Sequence, residues 1–165
     1  WIGDPATFAI EFSDITHIDL ATYGRCALWL DGYPLRDADA PVCLDTVLAG
    51  MQGVASAEAS LGFAMDGLSS TMQMLRLMQE RAEIHKHLFL EIEGFDDFLK
   101  LFSKDKERTY LHWALHPQVA HLYIYDDYPK GVQRLVIGNI ELQCVVDQFA
   151  KALEAAKAQA IPLAS

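Results

Sequence analysis

Apolar and polar side chains alternate near the start of the chain, a pattern that predicts a β-strand over residues 7–12. A second apolar run, 27–30, ends at the two-residue turn signal Asp31-Gly32 and predicts a hairpin. The returning strand contains Pro34, which has no N–H to donate to a neighbouring strand. We therefore expect that strand to be short or to lie at the edge of a sheet.

Helical spacing of apolar residues predicts three helices, over 41–54, 69–85 and 139–153. Ser69 and Asn139 stand at the start of the second and third helices, where N-capping residues are preferred. The second helix has a methionine-rich apolar stripe that we expect to pack in the core. That stripe consists of Leu68, Met72, Leu75 and Met78.

Two further pairs of strands are predicted in the second half of the chain. Residues 98–102 and 109–113 flank a charged turn over 103–108, and residues 121–125 and 132–137 flank a turn rich in Asp, Pro and Gly. Short turns between consecutive strands favour antiparallel pairing.

The helices occur in blocks and do not alternate with strands, which predicts an α+β fold. We expect a single domain over residues 1–160, mainly an antiparallel sheet packed against two to three helices including a long C-terminal helix. Residues 161–165 are expected to form a loose C-terminal tail.

Composition and charge narrow the kind of partner. The chain has 165 residues, 52 % of them hydrophobic, and a net charge of −10. The hydrophobic content is enough for a full core. The net negative charge argues against nucleic-acid binding through a basic surface. Residues 1–70 contain two basic and ten acidic residues, so they hold most of the net negative charge. Such an acidic half would steer a basic partner toward it, although acidity also serves solubility alone.

Hydropathy, the first residues and the cysteines predict the cellular compartment of the protein. No apolar stretch is long enough to span a membrane, and the first residues lack the pattern of a signal peptide. Three widely spaced cysteines argue against a disulfide scaffold. We therefore expect a cytoplasmic protein, without a membrane partner, that is a monomer or a small homo-oligomer.

No catalytic, cofactor or metal-binding motif stands out in the sequence, and we predict none of the three. His85 and His87 could chelate a metal from one strand face, but no third ligand follows at a typical spacing. Cys26 and Cys43 lie in apolar surroundings, which indicates core residues and not nucleophiles. The sequence leaves open the roles of five histidines: His85, His87, His112, His116 and His121.

Acidic and aromatic residues on three segments form the candidate binding surface. The segments are 31–39, 91–97 and 126–128. Charged rims raise association rates and partly buried aromatic residues anchor affinity. Paired carboxylates in 91–97 could also serve acid–base chemistry or hold a cation, but a solvated or partner-binding cluster is commoner. The candidate residues are Asp31, Tyr33, Asp37, Asp39, Glu91, Glu93, Asp96, Asp97, Asp126, Asp127 and Tyr128.

The first ten residues read WIGDPATFAI, a Gly-Asp-Pro stretch that leads into the first predicted strand. Later, a DKER turn over 105–108 precedes Tyr110 and Trp113, and an amphipathic helix over 139–153 follows a strand. These features resemble a family of bacterial immunity proteins from polymorphic toxin and contact-dependent growth inhibition systems. Members of that family open on a similar Gly-Asp-Pro stretch followed by Phe-Ala-Ile.

The resemblance implies an intracellular α+β protein that binds one cognate toxin domain and blocks it, without enzymatic activity or a cofactor. Many such domains are nucleases with basic surfaces, which an acidic inhibitor would meet readily. Gly3-Asp4-Pro5 would then be structural. Two alternatives remain: another interaction protein, such as a secretion chaperone or adaptor, and a small α+β enzyme. The enzyme site would be assembled from distant residues such as Glu91, Cys43, His112 and His116.

Overall fold

The computed structural model describes residues 1–36, 40–59, 69–72, 75 and 86–159. Its strands form two antiparallel sheets, and helices pack against them, so the predicted α+β class is confirmed. One large apolar core joins residues of both sheets and both long helices. The sequence pattern did not reveal that the strands divide into two sheets.

The first sheet has the order β1-β2-β3-β4, with β5 also paired to β3. Its strands are β1 (Ile2–Gly3), β2 (Phe8–Ile18), β3 (Ala21–Leu30), β4 (Tyr33–Leu35) and β5 (Val42–Cys43). Asp31 and Gly32 both have positive φ, 56° and 85°, as a tight hairpin turn between β3 and β4 requires. The three-residue β4 lies at the end of this order, which confirms the expectation for the strand that contains Pro34.

The N-terminal Gly-Asp-Pro stretch forms the turn between β1 and β2. The Asp4 carboxylate accepts a hydrogen bond from the Ala6 N–H at 2.9 Å, and the Asp4 carbonyl accepts one from Thr7 at 3.0 Å. The carbonyl oxygens of Pro5 and Thr7 accept hydrogen bonds from the β3–β4 turn, at Gly32 and Asp31. This stretch is therefore a structural support for the hairpin turn.

The second sheet has the order β6-β7-β8, with β6 (Phe98–Lys104), β7 (Arg108–Leu115) and β8 (Gln133–Gly138). The strand predicted over 121–125 is wrong. The chain there forms a 3₁₀ turn, Tyr123–Tyr125, and the N–H groups of Leu122 and Tyr125 bond locally to the carbonyls of Val119 and Leu122. The edge of β7 that this segment could have paired with is already taken by β8. Leu122 and Ile124 are exposed, so the alternating apolar residues of this segment do not form a buried face.

The first helix, α1 (Leu44–Ser56), begins later than the predicted 41–54, because Val42 and Cys43 pair with β3 as β5. The last helix, α2 (Asn139–Gln159), extends beyond the predicted end at 153. The predicted apolar stripe of this helix is buried, and it consists of Leu142, Val145, Val146, Phe149 and Leu153. The predicted tail at 161–165 lies outside the described residues.

Part of the predicted helix 69–85 is described. The Met72 N–H donates to the Ser69 side chain at 3.3 Å, which confirms the N-cap, and Ser70–Met72 and Leu75 are helical. Met72 and Leu75 are exposed, so their expected place in the core is wrong. Helical spacing determines which residues share a face but not what that face meets. Leu68 and Met78 lie outside the described residues.

The C-terminal helix connects the layers. α2 contacts α1, β1 and β2, and it also contacts β7 and β8 of the second sheet. Near its C-terminus, the Lys157 ammonium lies 2.7 Å from the Asp45 carboxylate in the first turn of α1. Asp45 also accepts a hydrogen bond from the Thr22 N–H at 2.9 Å. Burial pushes the pKa of Asp45 up, but the hydrogen bonds from Lys157 and Thr22 outweigh it and keep that pKa below its ordinary value.

Candidate functional site

An aromatic cluster brings two of the predicted segments together. Tyr33, on β4, and Tyr128, in the connection between β7 and β8, have ring centroids 5.8 Å apart. Both rings also face the buried Trp113, at 5.8 and 6.5 Å. The Tyr128 hydroxyl donates a hydrogen bond to the Pro34 carbonyl. Two half-buried tyrosines that are 95 residues apart in sequence thus share one surface.

Asp97 links the third segment to this cluster. Its carboxylate accepts a hydrogen bond from the Tyr125 hydroxyl, and the Tyr125 ring lies 5.3 Å from that of Tyr128. The Asp97 carbonyl accepts a hydrogen bond from the His116 N–H at 2.8 Å. The end of segment 91–97 is therefore fixed beside the tyrosines, and all three predicted segments meet in one chain of contacts.

The acidic residues around the tyrosines face solvent. Asp31, Asp126 and Asp127 are exposed, and among the described residues none of the three has an ion-pair partner within 4 Å. Their charges are therefore available to a partner. We call the two tyrosines and these three aspartates the tyrosine–aspartate surface. Two other predicted acids, Asp37 and Asp39, lie outside the described residues.

A cavity of about 550 Å³ lies beside Asp96, where the segment 88–97 runs along β6. Its mouth carries the exposed carboxylates of Glu91, Glu93 and Asp96, and its inner wall is mostly apolar. We call it the acid-rimmed cavity. Its lining residues are Leu88, Glu91, Ile92, Glu93, Asp96, Phe98, Leu99, Lys100, Leu101 and His116.

A buried lysine contributes to this cavity. Lys100, on β6, is only 1 % exposed, and its ammonium donates to the carbonyls of Phe95 and Phe98 at 2.5 and 2.7 Å. The nearest Glu91 oxygen is 3.8 Å from it. Burial lowers the pKa of Lys100, and the nearby carboxylates, Glu91 first, oppose that shift. The lysine therefore holds the 91–98 loop against β6 through its backbone carbonyls.

Gly94 sets the path of this loop. It has φ of +90°, and a Cβ placed there would lie 2.4 Å from Cγ1 of Val42 on β5. Positive φ and close approach together require glycine at this position.

We expect Gly94→Ala to lower the free energy of unfolding by about 1–3 kcal/mol, because it combines backbone strain with a clash. Urea unfolding checks this value. Gly53→Ala in α1 is the matched control, since a Cβ there meets no atom of the described residues within 4 Å. That change should leave stability equal or raise it by up to about 1 kcal/mol. Similar losses in both variants would contradict the packing of Gly94 on Val42.

The residues of the alternative enzyme site are only partly brought together. Glu91 and His116 line the same cavity, but Cys43 and His112 are not among its lining residues. His112 is fully buried, and neither of its ring nitrogens has a hydrogen-bond partner among the residues that the structure describes. Burial and the Arg134 charge lower its pKa to about 4.

The remaining cysteine and histidine predictions have mixed outcomes. Cys26 is buried, as predicted, and burial, with the charge of Glu11, raises its pKa to about 12, which makes a poor nucleophile. Cys43 is only half-buried. His87 is buried with its ring Nδ1 3.1 Å from the Phe102 carbonyl, His121 is exposed, and His85 is not described. Within the described ranges, no three His, Cys, Asp or Glu side chains are grouped for a metal.

Lys100 and the cavity were missed by sequence reasoning. The signal was available in the strand Phe98-Leu99-Lys100-Leu101-Phe102. Its lysine lies on the same face of the strand as two phenylalanines, which are both buried. Side chains two apart on a strand share a face, so this lysine had to be buried with its charge compensated.

Comparison with solved structures finds a protein that shares this fold, whereas sequence comparisons find no match. No protein-family model matches the sequence, and no curated protein sequence matches it. The structure is similar to the crystal structure of CdiI from Burkholderia dolosa AUO158, with a TM-score of 0.59. The match covers 91 % of this chain and 98 % of that chain at 15 % sequence identity. The structural neighbour is thus a CdiI immunity protein, and the likeness shows a shared fold. No helix among the described residues is both long and apolar enough to cross a membrane.

Proposed function

We propose that this protein is an immunity protein that binds a cognate toxin domain and neutralises it by direct contact. One observation carries the proposal: acidic and aromatic residues from three distant segments converge on the tyrosine–aspartate surface and the neighbouring acid-rimmed cavity. The fold shared with a CdiI immunity protein supports the same class of function. The sequence resemblance, made on different residues, points to it as well.

The chemistry of this surface favours a basic partner. Exposed, unpaired carboxylates raise the rate of encounter with a positive surface, and half-buried aromatic rings supply contact area at little entropic cost. We propose a toxin domain with a basic surface, such as a nuclease. Binding alone would block such a domain, so the function needs no catalytic group or cofactor in this chain. A cytoplasmic location would place the inhibitor where a toxin of that kind acts.

Charge reversal at the surface is the test of this assignment. The polypeptide encoded immediately upstream is the candidate toxin for this test. We expect Asp126→Lys with Asp127→Lys to raise the Kd for that polypeptide by about 10- to 100-fold, mainly through slower association. Surface plasmon resonance at low and high salt measures both rates. The wild-type affinity should weaken with salt, and the variant should show a smaller salt dependence.

The matched control is Glu58→Lys with Asp147→Lys, which makes the same change in net charge at exposed positions outside the three predicted segments. It should change Kd by less than about three-fold, because distant rim charges contribute little. Equal effects of the two double variants would mean that net charge, and not this surface, governs binding. Unchanged affinity in both would refute the assigned site.

A further inference from the structure

We propose that the acid-rimmed cavity receives one apolar side chain of the partner, from a segment in which lysine or arginine flanks that side chain. This inference rests on the proposed function and deepens it, because it names the chemistry of the partner segment. The partner would place a phenylalanine- or leucine-sized group in the cavity and its basic neighbours on the carboxylates at the mouth.

The lining of the cavity separates the two kinds of contact. Leu99 and Leu88 are half-buried and pack against the cluster of the buried Leu101, so most of the inner wall is hydrocarbon. The volume of about 550 Å³ lies within the range of roughly 300–1,000 Å³ for pockets that enclose a whole drug-sized ligand, so a phenylalanine-sized side chain has ample room. A cationic group deep inside would lie near the Lys100 ammonium, which is already fixed in the wall. The occupant of the interior is therefore apolar.

The mouth of the cavity favours positive charge. Glu93 and Asp96 are exposed, and neither has an ion-pair partner within 4 Å among the described residues. Within the described part of the chain, Glu91 forms one ion pair, with Lys100 at 3.8 Å. Three carboxylates around one lysine leave a negative rim, which basic side chains on either side of an inserted group would neutralise. An apolar anchor enclosed by a polar rim is the usual arrangement of an interface hot spot.

The cavity also adjoins the proposed interface. Asp96 at its mouth is followed by Asp97, whose carboxylate accepts the Tyr125 hydrogen bond beside Tyr128. His116 lines the cavity and donates its backbone N–H to the Asp97 carbonyl. One partner segment can therefore occupy the cavity while the rest of that partner covers the tyrosine–aspartate surface.

Short peptides test the inference without the natural partner. We would titrate the full chain, labelled at leucine methyl groups, with acetyl-Lys-Phe-Arg-amide and follow the Leu88, Leu99 and Leu101 signals by NMR. We expect saturable shifts of these signals. Acetyl-Lys-Gly-Arg-amide, without the anchor, and acetyl-Glu-Phe-Glu-amide, with reversed charge, should each bind at least ten-fold more weakly.

Two variants of the protein complete the test. Glu93→Gln with Asp96→Asn removes rim charge at exposed positions and should weaken the Lys-Phe-Arg peptide at least five-fold. Leu99→Trp should fill the cavity and abolish the shifts; a circular dichroism spectrum checks its folding. Three outcomes would overturn the inference. They are equal binding of the three peptides, shifts confined to other residues, and tighter binding of putrescine, a diamine without an apolar anchor, than of the Lys-Phe-Arg peptide.

The two proposals can fail separately. If the peptide binds as expected but the upstream polypeptide does not bind, the proposed function fails and the cavity assignment stands. If the upstream polypeptide binds the Glu93→Gln/Asp96→Asn variant as tightly as the wild type, the cavity assignment fails and the proposed function stands.

Discussion

Replacing Phe149 with alanine is expected to lower the free energy of unfolding by about 3–5 kcal/mol, the usual cost of removing a large buried aromatic side chain. Phe149 is fully buried on α2, and its ring packs edge-on against Phe12 of β2 with centroids 5.2 Å apart. It belongs to the core that joins α2 to both sheets. The cavity that alanine leaves would therefore weaken several elements at once.

Urea unfolding followed by circular dichroism measures this loss. The matched control is Ile140→Ala on the same helix, because Ile140 is 87 % exposed and should contribute less than about 0.5 kcal/mol. A loss below about 1.5 kcal/mol for Phe149→Ala, with an unchanged dependence on urea, would contradict the position of α2 over the core.

Lowering the pH from 7.5 to 4 is expected to cost about 3 kcal/mol of stability through His112 alone. Its pKa in the folded protein is about 4, whereas an unfolded histidine has a pKa near 6.5. Between these values the unfolded chain binds a proton that the folded chain does not, so stability falls as the pH falls. The cause is the burial of the imidazole, followed by the Arg134 charge.

His112→Leu isolates this effect. The variant should keep only the part of the acid sensitivity that comes from carboxylates, so its stability should exceed that of the wild type most strongly near pH 4. At pH 7.5 it should gain about 1 kcal/mol, because it removes two buried nitrogens that have no hydrogen-bond partner in the described part of the chain. His121→Gln, at an exposed position, is the control and should change stability at pH 7.5 by less than about 0.5 kcal/mol. Parallel curves for His112→Leu and the wild type would mean that the imidazole is not buried.

Local sequence rules were sufficient to predict some of the turns and helices of this protein. The Asp31-Gly32 turn was predictable because two consecutive residues with positive φ have a narrow sequence signature. The course of α2 was predictable because a long stripe at helical spacing has no competing interpretation. The strand predicted over 121–125 failed since a short apolar run does not show whether a pairing edge is free, and β8 occupies that edge.

The candidate site was predictable by residue type but not by arrangement. Three acidic and aromatic segments were visible as composition. Their meeting depends on Tyr33 packing against Tyr128, across the two sheets, and on the hydrogen bond between Tyr125 and Asp97. Such contacts follow from the packing of distant elements, which no local pattern encodes. The cavity was invisible for the same reason, although the buried Lys100 left a trace in its strand.

Growth protection tests the central claim most directly. The upstream polypeptide would be expressed in bacteria alone, with this protein, and with its Asp126→Lys/Asp127→Lys variant. We predict that the polypeptide alone arrests growth, that this protein restores it, and that the variant restores it less at equal protein levels. The Glu58→Lys/Asp147→Lys control should protect as well as the wild type. If the upstream polypeptide is toxic and this protein gives no protection, the immunity function is contradicted.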